Sequence, residues 1–291
     1  MASLMESALS ANAASLGLNW IYNIPYLEKL AQKEPLFFQP IDPAKYKRAR
    51  KAVNAYPKAQ VGDVSLQGRI LIWLDEHLRN GGDFTPEAYK KLVYAHIKPG
   101  GPYEGWVESY GKKLIYNHLG ESLKSTNEPL AMDDDELIGF IPYIVAKIHG
   151  KTNDEAYELA KVFTHNEDYR AFYDVFDVLI DPADHSKADA LKRALEISPK
   201  HYGFKLAQAI NSQSPKDMLK LVEPSCAIHY AIPLIFTVLH HASSFEEACE
   251  INTRLGGASS DRGTLLGALM HAFDASPEAF NNKLTQVSMH G

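Results

Sequence analysis

Leu255-Gly256-Gly257-Ala258-Ser259-Ser260-Asp261-Arg262-Gly263-Thr264-Leu265-Leu266-Gly267-Ala268-Leu269 runs from a glycine pair through small polar residues into an apolar stretch with two more glycines. Paired glycines let a backbone turn sharply or approach a ligand closely. Glycines at 263 and 267 lie one helical turn apart, a spacing suited to a close helix crossing. Leu265, Leu269 and Phe273 continue at the same interval and predict a helix. The pattern repeats outward from here. Leu66, Ile70, Leu74 and Leu78 recur every four residues, as do Leu137, Ile141 and Val145.

Helix stops and starts are marked by Gly81-Gly82, Pro99-Gly100-Gly101-Pro102, Asn127-Glu128-Pro129, Gly150, Asp181-Pro182, Ser198-Pro199, Ser214-Pro215 and Gly256-Gly257. About a dozen helices of ordinary length fit between them. Strand-like alternation is hard to find, so the expected fold is all-α. No long polar linker or fixed-period repeat divides the chain, and residues 1–291 read as a single domain. Ile70-Leu71-Ile72-Trp73-Leu74 is apolar all round and predicts a central helix, and residues 227–241 read the same way.

Composition narrows the function classes. The 291 residues are 45% apolar and 23% charged, as in an ordinary globular protein, and the net charge of −6 disfavours nucleic acid or an anionic membrane as partner. The two cysteines, Cys226 and Cys249, lack metal-site spacing and fit a reducing compartment. No secretory leader or membrane-length apolar run is recognisable, so the expected location is cytoplasmic.

Several residues carry two readings. Asp63 opens the helix that contains Trp73, either as an N-cap or as a ligand or base at the mouth of a cleft. Asp133-Asp134-Asp135-Glu136 precedes Leu137 as an acidic first turn, or gathers oxygen ligands for a divalent cation. His165, in Thr164-His165-Asn166, satisfies carbonyls at a helix end or serves as an acid or base. Arg262 forms a surface ion pair or binds an anion. The aromatic residues at 20–22 and 103–106 pack in the core or line a pocket for a planar ring. The histidines show no zinc spacing, and nucleotide-loop and nucleophile-elbow motifs are missing.

Taken in order, six segments resemble the ADP-ribosylglycohydrolase family, especially its branch containing jellyfish J-crystallins. Residues 11–23, Ala11-Asn12-Ala13-Ala14-Ser15-Leu16-Gly17-Leu18-Asn19-Trp20-Ile21-Tyr22-Asn23, look like the family's G-D-A-L-x-x-G-x-H-W-x-Y-D. Val61-Gly62-Asp63-Val64-Ser65 is similar to the branch's Y-G-D-Q-T, the counterpart of T-D-D-T in the wider family. Tyr103-Glu104-Gly105-Trp106-Val107-Glu108 resembles Y-x-G-Y-x-D, and Thr164-His165-Asn166 matches T-H-N. Ser225-Cys226 with Ala231-Ile232-Pro233 looks like an S-C and A-x-P pattern. The glycine-rich segment resembles G-G-D-x-D-T, or G-G-D-S-A-A-R-G in the branch.

The resemblance spans nearly the whole chain. It implies an all-helical domain in which two magnesium ions, held by loop carboxylates, orient ADP-ribose for cleavage of a glycosidic bond. This sequence departs from that pattern where the ligands should stand. Asn12, Val64, Ala258 and Ser260 replace acids, and Asn19 and Asn23 replace the His and Asp around Trp20. Asp63 remains and Asp261 sits one position late, so these two are the candidate ligands if any weak magnesium binding persists. Two close dications need several anionic ligands; the expectation is no tightly bound metal and no other cofactor.

The expected function is an ADP-ribosylglycohydrolase-like protein that binds a small anionic or ADP-ribose-like molecule in the old cleft, with weak or altered hydrolase activity. The alternatives are a non-catalytic crystallin-like or ADP-ribose-binding protein, and an enzyme repurposed for metal-free chemistry. The candidate catalytic residues are Asp63, His165 and Asp261. The candidate ligand-binding residues are Asn12, Asn19, Trp20, Ser65, Tyr103, Trp106, Gly257, Ser259, Ser260 and Arg262.

Overall fold

Ser3 starts the first helix through a reciprocal cap: its Oγ accepts from the Glu6 N–H (3.1 Å), while Glu6 Oε2 accepts from the Ser3 N–H (2.6 Å). The computed structural model describes residues 2–124, 126–181 and 186–285. The α-helices are α1 (Leu4–Leu16), α2 (Ile24–Ala31), α3 (Pro43–Ala49), α4 (Leu66–Arg79) and α5 (Pro86–Ile97). There follow α6 (Ser109–Ser122), α7 (Ile141–His149), α8 (Asn153–Ala160), α9 (Asp168–Ile180) and α10 (Lys187–Ile197). The chain ends in α11 (Gly203–Asn211), α12 (Ile228–His241), α13 (Phe245–Arg254), α14 (Ser259–Met270) and α15 (Glu278–Asn281). Two 3-10 helices, Leu137–Phe140 and Pro215–Lys220, complete the set, and no strand forms among the described residues. The fold is all-α, as the periodicity predicts.

The punctuation marks work as expected. α4 ends just before Gly81-Gly82, α5 before Pro99, and α10 before Ser198-Pro199. Gly150 takes the left-handed conformation after α7 and donates its N–H to Ala146. Pro182 lies outside the described residues. The predicted run from Leu137 to Val145 divides into a 3-10 turn and α7, with Pro142 near the start of α7.

One large core joins α4, α7, α9 and α12; the stretch at 70–74 is buried as predicted, and of residues 227–241 Ile228 and 231–239 are buried while His229 and His240 are exposed. The most extensive helix pairing, however, is α1 with α14. All twelve residues of α14 are buried, and α1 is buried from Ser7 to Leu16. Small residues make this possible. A Cβ on Gly263 would stand 2.6 Å from the Ala11 carbonyl oxygen, and one on Gly267 would collide with the Ser7 carbonyl.

Buried polar residues stand on both central helices: Ser7, Ser10, Asn12 and Ser15 on one, and Ser259 to Arg262 and Thr264 on the other. Buried polar groups need partners, and the pairing of these two helices is a hydrogen-bonded one. No helix among the described residues is long and apolar enough to cross a membrane.

Replacing Gly267 with Val forces α1 and α14 apart. We expect a loss of about 3 kcal/mol, measured by urea denaturation, whereas Gly203→Ala, which meets open space on α11, should change stability by under about 1 kcal/mol.

Candidate functional site

Asn12 lies near the end of α1 and faces both α4 and α14. Its Nδ2 donates to Ser65 Oγ (2.8 Å) and Thr264 Oγ1 (2.7 Å). Its Oδ1 accepts from the Ser65 N–H (2.8 Å) and from Ser260 Oγ (3.0 Å). Ser65 Oγ donates in turn to Asp261 Oδ1 (2.7 Å). Asn19 Oδ1 accepts from the Ser260 N–H (3.0 Å), so the first turn of α14 is capped by a side chain from the loop after α1. The structure thus brings Asn12, Asn19, Ser65, Ser260 and Asp261 into one buried group. Gly257, at φ 67°, lets the loop pair with Ile21: its N–H donates to the Ile21 carbonyl (2.8 Å) and its carbonyl accepts from the Trp20 N–H (2.7 Å). Ser259 is buried against Ser15, donating weakly to its carbonyl (3.5 Å).

Three readings of single residues change. Asp63 is not a helix cap; Ser65 holds that position, and Asp63 accepts instead from the Gln60 N–H (2.8 Å) and Thr285 Oγ1 (2.7 Å), with Arg69 at 3.9 Å. The acidic run at 133–136 is not a solvated first turn. Asp133 and Asp134 pair with Lys113 at 2.6 and 3.1 Å, Ser109 donates to both Asp134 and Glu136, and Asn166 donates to Asp135 (3.0 Å). These bonds staple the start of α6 and the loop before α9 together. Arg262 is no surface residue: it is fully buried. His165 is exposed, and it is not among the residues that line the cavity described next.

A cavity of about 610 Å³ opens beside the network, walled by Tyr56, Trp73, Tyr103 and Trp106, with Asp63 and Val64 on the side nearest Asn12. Its size suits a small organic molecule. Trp73 stacks on His96 (centroids 4.1 Å apart) and meets Tyr103 edge-on, while Trp20 supports Trp106 edge-on at 5.9 Å. Of the predicted ring-binding residues, Tyr103 and Trp106 line the cavity, and Trp20 stands behind them. Lys58, Arg69 and Glu104 add charge to its walls.

Glu108 was not singled out among the candidates above, although it closes the Tyr103–Glu108 segment at the position of the family's Asp. It is almost fully buried and accepts from the Tyr56 hydroxyl (3.2 Å), which itself accepts from the Leu66 N–H (3.1 Å). Burial, followed by the charges of Asp261 and Glu136, holds the Glu108 carboxyl well above the usual range. Asp261 behaves alike: burial pushes it up to about 7, against the opposing hydrogen bond from Ser65. Glu136 is raised as well, chiefly by burial.

The resemblance implies two magnesium ions here, and the residues present do not fit them. Asn12 turns N–H donors toward Ser65 and Thr264, where a cation requires oxygen lone pairs. Val64 packs an apolar side chain between Gly68 and Asn12. Among the described residues no group of three or more His, Cys, Asp or Glu side chains is arranged to hold a metal ion.

No protein-family model and no curated protein matches the chain. The likeness to ADP-ribosylglycohydrolases stands on the quoted segments.

The raised Asp261 carboxyl has a measurable consequence. Burial raises it from the ordinary carboxylate range to about 7 in the folded chain. The folded form holds the proton more tightly, so its contribution to stability is full below the unfolded value and is lost as pH rises through about 7. Wild type should be less stable at about pH 8 than at about pH 5, and Asp261→Asn, which keeps the acceptor for Ser65, should shrink that difference by on the order of 2–4 kcal/mol in chemical denaturation. A residual slope remains from Glu108 and Glu136.

Proposed function

We propose that this chain is a metal-independent, ADP-ribosylglycohydrolase-like binder of a small ring-bearing anion, ADP-ribose or a close analogue, with weak or altered hydrolase activity. One observation supports the reading most: an aromatic cavity of about 610 Å³ adjoins, through Asp63 and Val64, the network built on Asn12. Tyr56, Tyr103 and Trp106 offer ring faces and edges to a planar base. Asp63 and Glu104 are the carboxylates on the cavity wall, and a hydrolytic step would use Asp63, beside the Asn12 network, to accept a proton from water.

A second reading, a non-catalytic binder or crystallin-like protein, draws support from the same residue. Asp63 already accepts two hydrogen bonds, from Gln60 and Thr285, and both are lost or weakened if it takes up a proton. The repurposed-enzyme reading draws on Tyr56, which lines the cavity and donates to the buried Glu108 carboxyl.

ADP-ribose added to the protein in the presence of a chelator should quench the fluorescence of the cavity tryptophans saturably. Trp106→Ala should weaken that binding about 5- to 100-fold, the usual worth of a base-stacking side chain. Unchanged binding in this variant, or no quenching in wild type, refutes the cavity as the site. Release of free ADP-ribose from ADP-ribosyl arginine separates the hydrolase from the binder.

A further inference from the structure

Arg262 is the largest fully buried side chain among the described residues. Its Nε donates to Asn252 Oδ1 (2.7 Å), and its Nη2 donates to the carbonyls of Asn252 (2.8 Å) and Gly256 (2.9 Å). All three acceptors are neutral. Nη1 is buried with no hydrogen-bond partner. A guanidinium taken out of water needs an opposite charge or a complete set of acceptors, and this one has neither.

The surroundings are short of acceptors. Asn19 Nδ2, on the loop that caps α14, is likewise buried without a partner. The adjacent Asp261 carboxyl is pushed up to about 7 by burial and is a weak counter-charge near neutral pH. Tyr22, on the same loop as Asn19, lies within electrostatic reach of both Arg262 and Asp261 and is 39% exposed.

We propose that Arg262 Nη1 is the seat of an anion-binding subsite at the start of α14, which takes a phosphate or carboxylate, with Asn19 as a further donor and Tyr22 as the side chain the anion passes. The inference rests on the binding reading above and assigns the group that holds the ligand's negative charge. The N–H groups of Ser259 and Ser260 do not supply that role. They donate to the Gly257 carbonyl and to Asn19 Oδ1.

Inorganic phosphate is the direct probe, titrated calorimetrically at constant ionic strength, with acetate and chloride in parallel. Saturable binding of phosphate or acetate but not chloride is expected, weakened about 10- to 100-fold by Arg262→Gln, the worth of a hydrogen bond to a charged group. Glutamine cannot span Asn252 and Gly256 together, so a second readout uses the native chain: phosphate should shift the side-chain nitrogen resonances of a buried arginine. Tyr22→Ala should speed association and leave the arginine shift in place.

No saturable heat with phosphate or acetate together with unmoved arginine signals, an equal response to chloride, or a folded Arg262→Gln that binds like wild type each overturns the subsite. Adenosine, which has no anion, reads the cavity separately by tryptophan quenching. If adenosine binds while phosphate does not, the cavity stands and the subsite falls. If phosphate binds while adenosine does not, the subsite stands and the cavity reading falls.

Discussion

The Asn12 side chain ties α1, α4 and α14 into a single unit. Two N–H donors and one carbonyl oxygen reach Ser65, Thr264 and Ser260, each on a different turn or helix, and none is left unpaired. A typical buried hydrogen bond adds only about 1 kcal/mol net, but removing one partner strands the rest at about 1–3 kcal/mol each. The amide is therefore worth more through what its loss exposes than through its own bonds. A carboxylate at the same place could not donate to Ser65 and Thr264 and would face Asp261 in a buried setting, which is costly without cations to offset both charges. Relative to the pattern that the resemblance implies, the amide at position 12 and the neutral residues at 64, 258 and 260 amount to a single change.

That change sets the character of everything nearby. Ser260 uses the oxygen of Asn12 instead of presenting a carboxylate of its own, and Val64 fills space beside Gly68. The buried acids Asp261 and Glu108 are held toward their neutral forms chiefly by burial, with the charge of Asp261 adding to Glu108 and that of Glu136 to both. Arg262 is the exception, a buried cation whose bonds all end on neutral oxygens. The region that the resemblance casts as strongly anionic is close to neutral here with one positive charge in it, and the aromatic cavity lies next to it.

Much of the fold is legible in the sequence because its signals are local. Leu66 through Leu78 spells a helix on its own, and Gly150 or Ser198-Pro199 ends one without reference to anything distant. Apolarity points to α4 and α12 as buried, and they are, but it passes over α1, whose serines and alanines suit it for the centre only once α14 brings its glycines alongside. The site residues follow the same division. Asn12, Asn19, Ser65, Ser260 and Asp261 could be gathered because the quoted segments fix their order. Of the two readings of Asp63 only the cap fails, because Ser65 takes that position and one partner of Asp63, Thr285, is 222 residues away. The acids at 133–136 were misread because Lys113 and Ser109 approach them only in three dimensions. Arg262 has backbone carbonyls as acceptors, and no residue type in the sequence announces those.

We infer that protein hydrogen bonds stand where the resemblance implies two magnesium ions. Calorimetric titration of magnesium into the chelator-treated protein, with and without ADP-ribose, tests it most directly. No tight site is expected in either titration, and ADP-ribose binding should be indifferent to the metal. Two magnesium sites of micromolar or better affinity, with ADP-ribose binding that depends on them, would contradict the inference.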